Sequence, residues 1–260
     1  MTAITFSKYS GNGNDFVILD HPTYLVTASL VQRLCDRHFG VGADGVLVLE
    51  NSTTADARMQ IFNADGGEAE MCANGLRCLA TYFDSTQTVK KDMYAIQTMN
   101  AIYPVMRKES AFALEMSEIK DKNIYDLSPF KAFLNAFYIN TGVPHLVLQT
   151  KNNKAIDVKR TGSEFRHHAL FPKGANINFV EIDKEKNQTA IVRTYERGVE
   201  DETFSCGTGL TATALALSEW LGWKGDISLL TKGGKQQVTV AERVFYSGEV
   251  TFCFKGEISL

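Results

Sequence analysis

The segment Cys72-Ala73-Asn74-Gly75-Leu76 returns as Cys206-Gly207-Thr208-Gly209-Leu210 about half of the 260-residue chain further on. Each copy opens an apolar stretch with helical spacing. A pattern repeated at that distance implies a duplicated unit, each half carrying one thiol at the start of a helix. The length suits two domains of roughly 120 residues each.

Both halves show an α+β alternation. In the first, residues 2–9 alternate as a strand, residues 16–20 read as a short buried strand, and residues 11–15 form the turn between them. A helix is expected from Thr27 to about Arg37, burying Leu30, Val31, Leu34 and Cys35. Strands over residues 45–50 and 58–63 lead to the first thiol helix, whose Leu76, Leu79, Ala80 and Phe83 read as a single buried stripe, with Cys78 as a packing residue. The charged, turn-rich segment 120–127 marks the boundary between domains 1–120 and 121–260, and the last strand is a candidate to return to the first domain. Beyond the boundary, strands over 138–140 and 146–149 flank a turn at 141–145, and residues 176–182 and 189–195 supply two more. The second thiol helix runs from Cys206 to about Leu221 on a stripe of Leu210, Ala214, Leu217 and Leu221. Residues 236–254 read as strand with a turn near Ser247-Gly248.

Composition excludes several classes of function. Hydrophobic residues at 44% and charged residues at 22% are those of a soluble globular protein, and no apolar run is long enough to span a membrane. No signal-peptide pattern opens the chain, so a cytoplasmic location is expected. A net charge of −3 without dense Lys/Arg clusters argues against nucleic acid and for a small-molecule partner. The five cysteines are odd in number and lack zinc-ligand spacing, so they are expected as free thiols with no metal. Gly40-Val41-Gly42-Ala43-Asp44-Gly45 matches a dinucleotide fingerprint as a string, but a helix precedes it and a strand follows, the reverse of what the fingerprint requires. It is read as a tight loop.

The chemistry centres on Cys72 and Cys206. The first N–H groups of a helix lack intrahelical acceptors, so a thiol placed there is favoured as thiolate, and a substrate carboxylate can be held beside it. The segments that enter the two helices, residues 62–68 and 193–202, are dense in polar groups. Asn63 lies nine residues before Cys72 and Glu196 ten before Cys206, as anchors of matching position. Glu200, Asp201 and Glu202 are individually expected to be solvated surface acids.

Asn63-Ala64-Asp65-Gly66, Met71-Cys72-Ala73-Asn74-Gly75-Leu76-Arg77-Cys78, Gly142-Val143-Pro144-His145 and the run from Tyr195 to Gly209 together resemble the diaminopimelate epimerase family. Gly13-Asn14-Asp15-Phe16 and Asn176-Ile177-Asn178-Phe179-Val180 match it as well, so the likeness covers nearly the whole chain in order. The resemblance implies two similar α/β-barrel-like domains related by a pseudo-twofold duplication, with the active site in the cleft between them. It also implies a cofactor-independent homodimer that interconverts LL- and meso-diaminopimelate for lysine and cell-wall synthesis. Cys72 and Cys206 would be the two proton-transfer groups, with His145 and Glu196 setting their protonation states. Ala73, Asn74, Gly207 and Thr208 would hold the reacting carboxylate, and Asn14, Asn63, Asn176, Glu196 and Arg197 the rest of the substrate. Two positions depart from the family pattern. Ala73 replaces a usual Gly, which keeps the backbone donor, and Val143 replaces a common Asn, which removes a polar substrate contact. A proline or hydroxyproline racemase would use the same two thiols but typically has His where this chain has Asn74, and the phenazine-biosynthesis isomerases lack the cysteine pair. An amino-acid-binding or thiol-redox sensor protein is the non-enzyme alternative.

Overall fold

The computed structural model describes residues 3–108, 111–116, 119–120 and 128–259. Thr2 of the first expected strand and positions 121–127 of the expected boundary segment lie outside them. The chain divides into two compact units, Met1–Leu114 with Gly248–Leu260, and Glu115–Ser247.

The first unit runs β1 (Ala3–Gly11), β2 (Asn14–Asp20), α1 (Ala28–Cys35), β3 (Gly45–Glu50), β4 (Ala57–Asn63), β5 (Glu68–Ala69), α2 (Ala73–Thr86), β6 (Met93–Gln97), β7 (Ile102–Lys108) and β8 (Ala111–Glu115). After β9 (Ile119–Lys120), the second unit runs β10 (Asn135–Thr141), β11 (Pro144–Gln149), α3 (Val158–Arg166), β12 (Asn176–Ile182), β13 (Thr189–Glu196), β14 (Asp201–Thr203), α4 (Gly207–Leu221), β15 (Gly225–Thr231), β16 (Gly234–Val240) and β17 (Val244–Gly248). The final strand, β18 (Val250–Ser259), belongs to the first unit.

The pairing within each unit follows one scheme. β1–β2 is antiparallel, β2–β3 parallel, β3–β4 and β4–β5 antiparallel, β4–β6 parallel and β6–β7 antiparallel. β10–β11, β11–β12, β12–β13, β13–β14, β13–β15 and β15–β16 repeat that series in the same order. Even the added strands correspond, since β18 pairs antiparallel with β1 as β9 does with β10. The duplication announced by the two thiol segments is therefore a duplication of topology.

Each sheet carries a helix on both faces. On β3, Val46 and Val48 pack with Val31 and Leu34 of α1, while Leu47 meets α2 at Gly75, where an added Cβ would lie 3.1 Å from the leucine. This explains why five of the six β3 residues are buried without alternation. In the second unit α3 seals the equivalent face, with Val158, Phe179 and Tyr195 in one cluster.

The thiol helices differ from the single-stripe expectation. From Ala73 to Ala80 every residue of α2 is buried, including Asn74 and Arg77, and α4 buries Gly207, Gly209–Ala214, Ala216 and Leu217, while Leu221 is exposed. The reason is that strands surround these helices: α2 touches β1, β2, β3, β4, β6 and β18, and α4 touches β10, β11, β12, β13, β15 and β16. A helix enclosed on all sides has no solvent face. Small residues then fill α4, and the hydroxyls of Thr211 and Thr213 bond back to the carbonyls of Gly207 and Gly209 at 2.9 and 2.8 Å.

Two turns are tighter than the sequence suggests. Between β1 and β2 only Asn12 and Gly13 turn, with φ of 55° and 85°, the two-residue Asn-Gly hairpin whose twist suits the strands. Between β10 and β11 only Gly142 and Val143 turn, so His145 is a strand residue. Gly40–Asp44 is indeed a loop between α1 and β3; Gly42 has φ of 80°, and a Cβ on Gly40 would collide with the carbonyl of Arg33. Among the described residues, no helix is long and apolar enough to cross a membrane.

Candidate active site

Cys72 and Cys206 occupy one backbone position in the two units, the N-cap of the enclosed helix, both with extended φ and ψ. The first intrahelical bonds are Leu76 N–H to Cys72 O (2.8 Å) and Leu210 N–H to Cys206 O (2.9 Å). The N–H groups of Ala73 and Asn74, and of Gly207 and Thr208, lie ahead of those bonds at the positive end of the helix. Such an end suits a carboxylate.

In the first unit the sulfur of Cys72 accepts from two donors, the Gly75 N–H at 3.5 Å and the Asn14 side-chain amide at 3.8 Å. Donors aimed at sulfur favour its anionic form. Asn14 is placed by the tight hairpin and by an ionic knot beside it. The Arg37 guanidinium forks onto the Asp15 carboxylate at 2.8 and 3.1 Å, Lys8 reaches it at 2.6 Å, and Lys8 also bonds the Gly42 carbonyl. Burial alone would raise the Asp15 carboxyl, but these two cations hold it well below the usual carboxylate range. The Asn74 side chain faces inward, accepting from Arg77 Nη2 at 2.7 Å. What Asn74 can offer a ligand at the helix end is its backbone N–H. Arg77, fully buried, also reaches Asn12 Oδ1 (3.0 Å) and the Gly248 carbonyl (2.5 Å). Asn63 ends β4 as an exposed residue whose backbone closes the turn to Gly66 and Gly67.

In the second unit Cys206 has different company. Its Sγ lies 3.4 Å from Thr208 Oγ1, and it shares a hydrogen bond with Glu196, the last residue of β13. Burial raises the Glu196 carboxyl above its ordinary value, and bonds from Thr203 and Cys206 pull the other way. His145 on β11 is fully buried, with Nε2 at 3.0 Å from Thr208 Oγ1 and Nδ1 at 3.1 Å from Asn178 Nδ2. Burial, helped by the positive charge of Arg197, pushes its pKa down to about 3, so the ring is neutral at physiological pH.

Asn176 and Arg197 form one brace: Asn176 accepts from the Arg197 N–H at 2.8 Å and donates to the Pro144 carbonyl at 3.0 Å. The Arg197 guanidinium rests on the Lys173 carbonyl at 3.1 Å. Behind Cys206, Ser205 and Tyr246 both donate to Gln236 Oε1 at 2.5 Å. Among the described residues, no group of three or more His, Cys, Asp or Glu side chains is gathered to hold a metal, and all five cysteines are free thiols.

The family model for diaminopimelate epimerase matches residues 6–111 and 137–253. A diaminopimelate epimerase from Flavobacterium psychrophilum is 36% identical over 262 residues, 96% of this chain and 98% of that protein. One from Methanothrix thermoacetophila is 37% identical over 281 residues, 100% and 97% of the two chains. The chain belongs to the diaminopimelate epimerase family. Solved structures show the same fold at low identity. A PhzF-family phenazine biosynthesis protein of Bacillus anthracis superposes with a TM-score of 0.77 at 15% identity, covering 100% of both chains. A probable proline racemase of Agrobacterium radiobacter does so with a TM-score of 0.69 at 13% identity, covering 99% of this chain and 93% of the other.

Within this diaminopimelate epimerase-like fold, the residues singled out from sequence fall into two groups by unit. Asn14, Ala73 and Asn74 gather at Cys72, and His145, Glu196, Gly207 and Thr208 at Cys206, with Asn176 and Arg197 braced beside His145. Of the three acids expected to be solvated, Glu200 and Asp201 keep much of their side-chain exposure, at 42% and 46%, whereas Glu202, at 9%, does not. Glu202 meets Arg193 at 2.7 Å and Lys232 at 2.8 Å, Asp201 meets Lys159 at 2.6 Å, and Glu200 meets Arg166 at 3.2 Å. The reason is β14, which folds back on β13 and brings Glu202 beside Arg193. Three residues at the site went unread in the sequence: Asn178, Gln236 and Arg77. A readable signal existed for Asn178, a polar residue in the apolar strand β12.

Proposed function

We propose that this chain is a cofactor-independent diaminopimelate epimerase, an isomerase that interconverts LL- and meso-diaminopimelate by two-base proton transfer. The observation that carries the reading is the pair of N-cap thiols at matching positions of a duplicated unit. One cysteine as thiolate takes the α-proton, forming S–H and leaving the electron pair on the α-carbon and its carboxylate. The other, as thiol, gives its proton to the opposite face and becomes the thiolate, and the reverse reaction exchanges their roles. Two groups are required because a single base would return the proton to the side it came from. The growing carboxylate charge is stabilised by the helix-end N–H groups at Ala73, Asn74, Gly207 and Thr208, fixed donors that need no reorganisation. Glu196 and His145 bias the protonation of the sulfur, and Asn14, Asn63, Asn176 and Arg197 are assigned to the remaining polar groups of the substrate. Supporting a small-molecule substrate are the net charge of −3 and the lack of a basic patch in the sequence; a cytoplasmic homodimer completes the reading.

The test is α-hydrogen exchange. The protein is incubated with LL-diaminopimelate in deuterium oxide under reducing conditions, in parallel with proline, and loss of the α-proton is followed by NMR for wild type, Cys72→Ser and Cys206→Ser. Exchange into diaminopimelate by wild type, with epimerisation lost in both variants, is the expected result. No deuterium in diaminopimelate refutes the activity, exchange into proline instead favours the racemase alternative, and wild-type epimerisation by either variant refutes the two-thiol assignment.

A further inference from the structure

The side chain of Asn178 can lie in only one orientation. Its Nδ2 faces the carbonyl of Leu146 at 3.3 Å, a group that only accepts, and its Oδ1 takes the hydroxyl of Thr194 at 3.0 Å. The same Nδ2, 3.1 Å from His145 Nδ1, must therefore donate to it. A neutral imidazole that accepts at Nδ1 carries its proton on Nε2, which faces Thr208 Oγ1 at 3.0 Å. The Thr208 hydroxyl, accepting from Nε2–H, keeps its own proton available to donate, and Cys206 Sγ lies 3.4 Å away. Donors thus run in one direction from β12 through β11 to the helix end.

Close packing holds this array in place. Asn178, His145 and Leu146 are fully buried, and Gly209 of α4 lies against the pair so tightly that a Cβ there would be 2.4 Å from Asn178 Oδ1 and 3.2 Å from His145 Cε1. The charged or titratable groups that face the array are Arg197, which opposes protonation of His145, Cys206 itself, and Glu196, which shares a hydrogen bond with Cys206.

We propose that Asn178 is a positioning residue for the epimerase reaction: it fixes His145 as the Nε2–H tautomer, so that Thr208 donates to Cys206 Sγ and supports its thiolate. The role in turnover rests on the two-thiol reading above, whereas the tautomer and the state of the sulfur do not. In this scheme the sulfur has two partners, the donor Thr208 and the carboxyl of Glu196.

The experiment begins with the 15N spectrum of histidine-labelled protein, His145 being assigned by its loss in His145→Gln. Long-range 1H–15N correlation is expected to show Nε2 protonated and Nδ1 bare in wild type; a proton on Nδ1 would overturn the proposal with no variant needed. In Asn178→Asp, a carboxylate that only accepts draws a proton onto Nδ1, and Thr208 is turned away from the sulfur. The expected readouts are a changed Nδ1 signal, a Cys206 alkylation profile moved to higher pH by mass spectrometry of its peptide, and kcat reduced about 10- to 100-fold with KM changed less, as loss of one charge-assisted hydrogen bond predicts. An unchanged alkylation profile in a folded Asn178→Asp with an altered Nδ1 signal refutes the link from tautomer to sulfur. Should wild type fail to exchange the α-proton, the spectrum and the alkylation profile still decide the positioning claim.

Discussion

Replacing Gly209 by alanine tests the close approach of α4 to the Asn178–His145 pair. In an exposed helix interior the change would stabilise the protein by about 1 kcal/mol, because alanine is the better helix former. Here the new Cβ would stand 2.4 Å from Asn178 Oδ1, a separation that real Cβ contacts do not reach. The amide cannot rotate away without giving up its bonds to Thr194, Leu146 and His145. Overpacking of this kind costs about 1–3 kcal/mol, and each buried hydrogen bond disturbed adds about 1 kcal/mol. The balance is a loss of roughly 1–3 kcal/mol, a fall in Tm of about 2–4 °C for each kcal/mol in a chain of this size. Thermal unfolding and the diaminopimelate exchange rate would be measured together, with kcat expected to fall by more than the stability loss alone explains, since His145 and Thr208 are displaced with Asn178. Gly222→Ala is the control: it caps the same helix with φ of 69°, no atom within 4 Å of its added Cβ, so it should lower Tm and spare kcat. A Gly209→Ala protein that is more stable than wild type and equally active would refute the reasoning.

Two further predictions concern stability. Arg77→Met removes the charged donor from three buried acceptors, Asn12, Asn74 and the Gly248 carbonyl, and should destabilise by roughly 3–5 kcal/mol in denaturant titration; Arg77→Lys should recover little, because an ammonium cannot fork to all three. The pH dependence divides into two windows. His145 is held near 3 in the folded protein by burial, so its contribution is fully present above the unfolded value near 6.5 and lost as pH falls, about 2 kcal/mol between pH 7 and 5. Asp15, pulled down against burial by Arg37 and Lys8, and Glu200, held at about 2 by the Gly198 N–H and Tyr195 hydroxyl, contribute stability above the unfolded carboxylate range and lose it at lower pH. Urea midpoints against pH should therefore fall from about pH 6.5 in wild type, whereas His145→Gln should stay flat until about pH 4.5.

The sequence revealed most where one local signal decides the structure. β3 and β12 keep the bounds read from sequence, 45–50 and 176–182, and Thr27 caps α1 through a bond from the Leu30 N–H at 3.3 Å. It was least informative where partners are distant. Asn74, Arg77, Thr211 and Thr213 are polar, yet all four are buried, because strands remote in sequence close around α2 and α4. β6 and β7 escaped notice since Met93, Ile102 and Met106 place apolar side chains on their exposed face and blur the alternation. Helix α3 was hidden by its polarity and by Gly162, whose missing Cβ leaves room for Tyr195. His145 reads as part of a Gly-Val-Pro turn from sequence alone, but Pro144 is already the first strand residue.

The two thiol sites share a backbone and diverge in side chains. Duplication supplies each unit with an N-cap sulfur and a helix end ready for a carboxylate, but an epimerised centre presents two unlike faces once the rest of the substrate is held. Cys72 receives two donors, Asn14 and the Gly75 N–H, whereas Cys206 has the Thr208 hydroxyl and the Glu196 carboxyl as partners. The first arrangement aims two donors at the sulfur; the second gives the sulfur a hydroxyl and a carboxyl as partners. Part of the difference lies on the helices, at Gly75 of α2 and Thr208 of α4, and part at equivalent strand ends, where Asn63 at the end of β4 stands opposite Glu196 at the end of β13. The backbone at the N-cap is thus kept in both units while the side chains around each sulfur differ, so a duplicated topology can carry two unlike chemical environments without changing its architecture.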